Sequence, residues 1–138
     1  MSAPDPALLA KLRSAVASGP PLRLAVLFGS RATGRATAHS DVDVGIVPMD
    51  RQLALGEELA LASALSAATG LEVDVVRLDE DAPLLGREVA RSGSVLFEAE
   101  PGTFNAWRAT AMSRFIDFEE MIAPHRERFL QRLAGRRA

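Results

Sequence analysis

Cysteine and tyrosine are absent from this sequence of 138 residues, and histidine occurs only twice. Without cysteine there are no disulfides, no thiolate metal ligands and no sulfur nucleophile. Without tyrosine the chain has no phenol of its own to modify. His39 and His125 lie far apart and lack metal-ligand spacing, so a bound metal must use carboxylate oxygens, which suit hard cations such as magnesium. No apolar run approaches the roughly 20 residues of a membrane span, and the opening MSAPDPALLAKLRSAV has no long apolar core. The expectation is a cytoplasmic protein with no membrane partner. The net charge is −2 and the basic residues are scattered apart from Arg136 and Arg137, so no nucleic-acid stripe stands out and such a partner is not expected.

What remains is the composition of an ordinary folded chain, 48% hydrophobic and 25% charged, which argues against disorder and fibrous repeats. No repeat or linker marks a boundary, so residues 1–138 read as a single domain, with 103–138 a C-terminal helical segment that packs on it or on a partner. Asp5 and Pro6 open a first helix whose Leu8, Leu9, Leu12 and Val16 recur at helical spacing up to Gly19. LRLAVLF, residues 22–28, reads as a strand buried on both faces, and DVDVGIV, 41–47, as a second strand ended by Pro48. Asp50 is expected to cap a long helix from Arg51 through Leu53, Leu55, Leu59, Leu61 and Leu65 to Gly70. LEVDVVRL follows as a half-exposed strand, Asp81 and Pro83 open a helix to about Ser92, and SVLFE reads as an edge strand. Phe104, Trp107, Ala111, Phe115, Phe118 and Ile122 form an amphipathic stripe that Pro124 must kink or end, before a last piece carrying Phe129 and Leu133. The fold class is α/β (α+β), a small sheet with helices expected mainly on one face.

The chemistry concentrates in residues 27–47, LFGSRATGRATAHSDVDVGIV. Gly29 lets backbone approach a ligand closely after the first strand, and the amides that follow, with the Ser30 hydroxyl, can face a phosphate. Strand alternation puts Asp41 and Asp43 on one face, where they can share one or two magnesium ions with a nucleoside triphosphate completing the shell. A third carboxylate is expected nearby for the attacking hydroxyl. Asp74 has the right parity on the next strand, with Glu72, Asp79 and Asp81 as alternatives.

Each element has a plainer reading. An isolated Asp-x-Asp is more often a pair of solvated acids, but two acids opening an apolar strand beside a Gly-Ser turn are costly without a cation to offset them. Arg31 and Arg35 serve equally as surface charges or triphosphate contacts, and Ser40 is a further nucleotide-binding candidate. His39 reads as solvated, the Phe104 to Ile122 stripe as internal packing, and the charges from Arg126 to Arg137 as a solvated face.

The run Gly29-Ser30-Arg31-Ala32-Thr33-Gly34, followed by Ser40-Asp41-Val42-Asp43, resembles the signature of the DNA polymerase β-like nucleotidyltransferase superfamily, in particular its minimal, MNT-type branch. The likeness extends from about residue 22 to about residue 118. It implies a mixed sheet flanked by helices, a serine and neighbouring backbone that hold triphosphate, and three carboxylates, here Asp41, Asp43 and Asp74, that hold magnesium. Many minimal members carry arginine where this chain has Thr33, a contact for which Arg31 or Arg35 would compensate. The resemblance further implies an ATP-dependent antitoxin that transfers AMP to a tyrosine of a HEPN-domain ribonuclease toxin, forming a hetero-oligomer with it. Two other readings stand beside it: a binding protein that neutralises a toxin without catalysis, and a transferase acting on a small molecule or an RNA end.

Overall fold

In a computed structural model, residues 4–79 and 81–137 are described, with the side chains of Arg136 and Arg137 outside that description. Helix α1 spans Pro6–Ala17, and the Asp5 carboxylate caps it by accepting from the Ala7 N–H at 3.0 Å. Four strands follow in chain order: β1 Leu22–Phe28, β2 Val42–Pro48, β3 Val73–Arg77 and β4 Ser94–Glu98. They form one sheet ordered β3-β2-β1-β4, with β1 antiparallel to both β2 and β4 and β2 parallel to β3. The sheet is therefore mixed, and SVLFE is an edge strand as expected.

The helices between the strands are α2 Ser30–Thr33, α3 Leu55–Thr69 and α4 Pro83–Ser92. Helix α5, Thr103–Ile122, then runs into a single 3-10 turn at Ala123–His125, where Pro124 interrupts it, before α6 Arg126–Arg137.

Both faces of the sheet are covered, which corrects the expectation of helices mainly on one face. Leu8, Leu12 and Val16 of α1 and Leu61 and Leu65 of α3 pack with Ala25, Leu27, Val42, Val44 and Ile46 on one side. Leu24, Val26 and Phe28 alternate to the other side, against Val89 of α4 and Phe104 of α5. A strand apolar at every position but Arg23 requires this arrangement, because each fully buried Leu or Val stabilises by about 1.5–3 kcal/mol only if something covers it.

Helix α3 begins at Leu55, not Arg51. The Asp50 carboxylate instead accepts from the Gln52 N–H at 2.9 Å, closing a turn. The Arg77 guanidinium donates to the carbonyls of Arg51 (2.9 Å) and Leu53 (3.3 Å), oxygens that a helix through this segment would need for its own ladder. In consequence Leu55 and Leu59, expected in the buried stripe, are 68% and 60% exposed. Helix α4 starts on Pro83 as expected, but its cap position is Ala82 and Asp81 is an exposed neighbour.

Of the α5 stripe, Phe104 and Ala111 are buried and Trp107 packs partly against the second core. The later positions turn to local partners: Phe115 lies under the Arg87 guanidinium at 4.9 Å, and Phe118 meets Phe129 edge-on at 5.5 Å. Ile116, Met121 and Leu130 are left exposed. Among the described residues no helix is long and apolar enough to cross a membrane.

Candidate active site

The site is built at the end of the sheet where β1 stops and β2 begins. Phe28 pairs with Asp43 in the antiparallel register, so Gly29 emerges beside that carboxylate. Gly29 has φ +77° and ψ −159°, which an L-residue with a β-carbon resists. A β-carbon there would stand 2.7 Å from Asp43 Oδ2, so the absence of a side chain leaves room for the carboxylate itself. After Gly29 the chain turns into the single turn of α2, closed by Gly34 in the left-handed conformation.

On β2, Val42, Val44 and Ile46 enter the α1/α3 core, which sends Asp43 to the opposite face. Asp41 is exposed, one residue outside the strand, with the same parity. The parallel register sets Asp43 directly against Asp74 on β3. Asp74 is exposed, and so is Glu88 on α4. Burial first, and then the negative charges of Asp74, Glu88 and Asp41, raise the Asp43 carboxyl above its ordinary value. Among the described residues, the charged groups that shift it are all carboxylates.

Two alternatives for the third acid lie elsewhere. Asp79 forms a bidentate pair with Arg77, at 3.0 Å from Nε and 2.8 Å from Nη2, and the hydrogen bonds from that guanidinium hold its carboxyl below the usual range. Asp81 lies beside it at the far end of the sheet, away from Asp43. Glu72 is exposed just before β3, and its carbonyl accepts from the Val42 N–H at 2.9 Å.

The candidate nucleotide-binding residues divide. Ser30 is half-buried at the start of α2, next to Gly29, and its carbonyl accepts from the Arg35 N–H and the Thr33 hydroxyl. Arg31 donates through Nε (3.2 Å) and Nη2 (2.9 Å) to the Ser40 carbonyl, so its guanidinium ties down the loop that delivers Asp41. The Ser40 hydroxyl accepts from the Thr37 N–H at 2.9 Å, and its role in this structure is to shape that loop. Arg35 and His39 are exposed.

Glu88 was not anticipated from the sequence. It reaches the site through the packing of α4 on the sheet, and the only local signal is a charged position preceding the buried pair Val89 and Ala90. Among the described residues, no group of three or more acidic or histidine side chains is drawn together tightly enough to cage a metal ion. Asp41, Asp43 and Asp74 are like charges that a bound cation would offset. Their donor set, hard oxygens without a cationic side chain, nevertheless fits a magnesium ion.

Three comparisons bear on this arrangement. The family profile described as "Polymerase beta, Nucleotidyltransferase" matches residues 10–101. A curated relative, the protein adenylyltransferase MntA of Aphanizomenon flos-aquae, is 35% identical over an alignment covering 60% of this chain and 61% of that protein. This chain therefore matches less than two thirds of that relative's length. Among solved structures, a toxin–antitoxin complex with AMP-PNP superposes with a TM-score of 0.78 at 22% identity, covering 88% of this chain and 98% of the other. A complex of a tri-AMPylated Shewanella oneidensis HEPN toxin with its MNT antitoxin gives 0.71 at 20% identity, covering 89% and 96%. At such identities the structural likeness establishes the fold.

Proposed function

The chain belongs to the polymerase β nucleotidyltransferase family, and from that premise we propose that it transfers AMP from ATP to a tyrosine hydroxyl of a HEPN-class toxin, silencing it as an antitoxin. The observation that carries this reading is the register that sets Asp43 against Asp74, with Asp41 alongside and Gly29 face-on. An ATP-dependent reaction of this kind belongs in the cytoplasm.

Asp41, Asp43 and Asp74 would hold one or two magnesium ions. Bound there, the cation supplies neutralisation of the charge that develops on the phosphate oxygens. The chain's own residues do the rest. Gly29 admits the triphosphate close to the backbone, and Ser30 and the amides that follow orient it. The acceptor oxygen bonds to the α-phosphorus, the bond from that phosphorus to the α–β bridging oxygen breaks, and pyrophosphate leaves. Asp74, on the acceptor side, takes the hydroxyl proton on a carboxylate oxygen. The exposed Ile116, Met121 and Leu130 at the C-terminal helices suit a protein acceptor better than a small molecule, because they offer apolar surface for a partner.

Labelled ATP incubated with magnesium and the co-purified HEPN-class partner tests this directly. The wild type is expected to label the partner, and Asp41→Ala or Asp43→Ala to lose at least about 100-fold of the rate. Equal labelling by all three would refute the assignment. A second reading is neutralisation by binding alone, for which the exposed Ile116, Met121 and Leu130 offer a surface. Toxin inhibition by Asp43→Ala at unchanged affinity would select it.

A further inference from the structure

The acid cluster occupies one end of the sheet, and the other end holds a cavity whose lining includes none of Gly29, Ser30, Asp41, Asp43 or Asp74. It measures about 510 Å3 and lies between the far ends of β1, β2 and β3 and the first turns of α4 and α5. Small-molecule sites span about 300–1,000 Å3. Leu24, Val47, Leu78 and Leu85 make its floor apolar, and Trp107 forms a wall. That wall is fixed in place: the indole N–H donates to the Leu78 carbonyl at 3.3 Å, and the ring stacks on Phe104 at 6.0 Å and 11°. Leu78 also packs over Gly45, where a β-carbon would come within 2.7 Å of its Cδ1. Leu78 thus separates the cavity from Asp43, which at about 3.4 Å per residue is roughly 14 Å from Val47 along β2.

The rim is cationic. Arg23, Arg51 and Arg114 line it, all three exposed, and none makes a side-chain hydrogen bond among the described residues. Among the described lining residues two exposed carboxylates, Asp81 and Glu100, oppose them, while Asp79 is paired with Arg77 and also feels the charge of Arg51. An aromatic-walled apolar floor beneath exposed guanidinium groups that make no side-chain hydrogen bond suits a molecule that is flat and apolar at one end and anionic at the other. We propose that this cavity is a second ligand site, taking a small aromatic anion with its ring against Trp107 and its phosphate or carboxylate at the arginine rim.

Trp107 is the only tryptophan in the chain, so its emission reports on this cavity alone. Wild-type protein and Asp43→Ala would be titrated separately with AMP, benzoate, adenosine and inorganic phosphate. The expected result is a saturable shift with AMP or benzoate, the same in both proteins, and a much weaker response to adenosine and to phosphate. Response to AMP alone identifies a nucleotide ligand, and response to benzoate alone an aromatic carboxylate. The exposed double variant Arg23→Ala/Arg114→Ala is expected to weaken binding at least about tenfold, the loss of one or more charge-assisted hydrogen bonds. No saturable shift with either aromatic anion, or unchanged affinity in the double variant, overturns the proposal. Because Asp43→Ala abolishes transfer yet is expected to bind normally here, failure of the catalytic reading would leave this result standing.

Discussion

A β-carbon on Gly29 would lie 2.7 Å from Oδ2 of Asp43, so the turn after β1 and the acid on β2 occupy one shared space. The φ of +77° at Gly29 adds backbone strain to that clash for any other residue. Gly29→Ala is therefore expected to lower stability by about 1–3 kcal/mol through its glycine-only backbone conformation alone. It should also displace the Asp43 carboxylate and reduce transfer more than the stability loss explains. Denaturant midpoints and single-turnover labelling of the same preparation check both, and unchanged labelling would show that the close approach has no part in the chemistry.

Asp43 gives a pH prediction whose sign follows from its raised carboxyl. Raising the folded-state value above the unfolded one means that the ionised form is disfavoured in the fold. The penalty is fully present at pH above the folded-state value, and it disappears as pH falls below the ordinary value of 3.8. Asp43→Asn should consequently raise the melting midpoint of the metal-free protein at neutral pH, by roughly a degree or two, while abolishing transfer. The gain should vanish in acid. Magnesium should raise the wild-type midpoint and leave that of Asp43→Asn nearly unmoved, as thermal melts at several pH values would show.

Asp74 and Asp79 sit on or next to the same strand and should separate cleanly on substitution. Asp74→Ala is expected to remove transfer with little effect on stability, because the side chain is exposed. Asp79→Ala removes both hydrogen bonds from the part-buried Arg77 and should cost about 1–3 kcal/mol while leaving the chemistry intact. The Asp79 carboxyl is held below its ordinary value of 3.8, so its contribution is present above that value and is lost as pH falls through the lowered one. Asp79→Asn should therefore flatten the acid limb of the stability profile. Paired labelling and acid-titration measurements decide the matter, and loss of transfer in Asp79→Asn would move the third acid to that position.

The parts of this architecture that can be read from sequence are those that local geometry decides. Alternation along 41–47 and 71–78 places Asp43 and Asp74 on the face that Val44 and Val75 leave, whatever the rest of the chain does. The Asp5 cap, the Gly29 turn and the Pro124 break are likewise local. The start of α3 was not legible, because the carbonyls that would extend it are taken by Arg77 from a strand formed 26 residues later. Arg31 was equally open until its guanidinium found the Ser40 carbonyl. The helices on the second face were hinted at by the unbroken apolar run of β1, but which acid they would carry to Asp43 depends on how α4 packs, and no spacing rule reaches from Asp43 to Glu88.

Met121 and Ile116, 68% and 54% exposed, lie on the half of α5 that leaves the sheet, and Leu130, 54% exposed, follows on α6. Exposed side chains contribute little to folding, so Ile116→Lys/Met121→Lys should shift monomer stability by no more than about 0.5 kcal/mol. If this surface receives the toxin, two charges placed in an apolar contact must be desolvated on association, which should weaken it at least about tenfold. Labelling of the toxin should then fall at low concentration and recover as the partner is raised toward saturation, since Asp41, Asp43 and Asp74 are untouched. Calorimetric titration of the paired proteins with parallel rate measurements tests this: unchanged affinity would place the toxin on another face, and a loss of rate at saturation would mean that these helices help position the acceptor hydroxyl as well as bind its carrier.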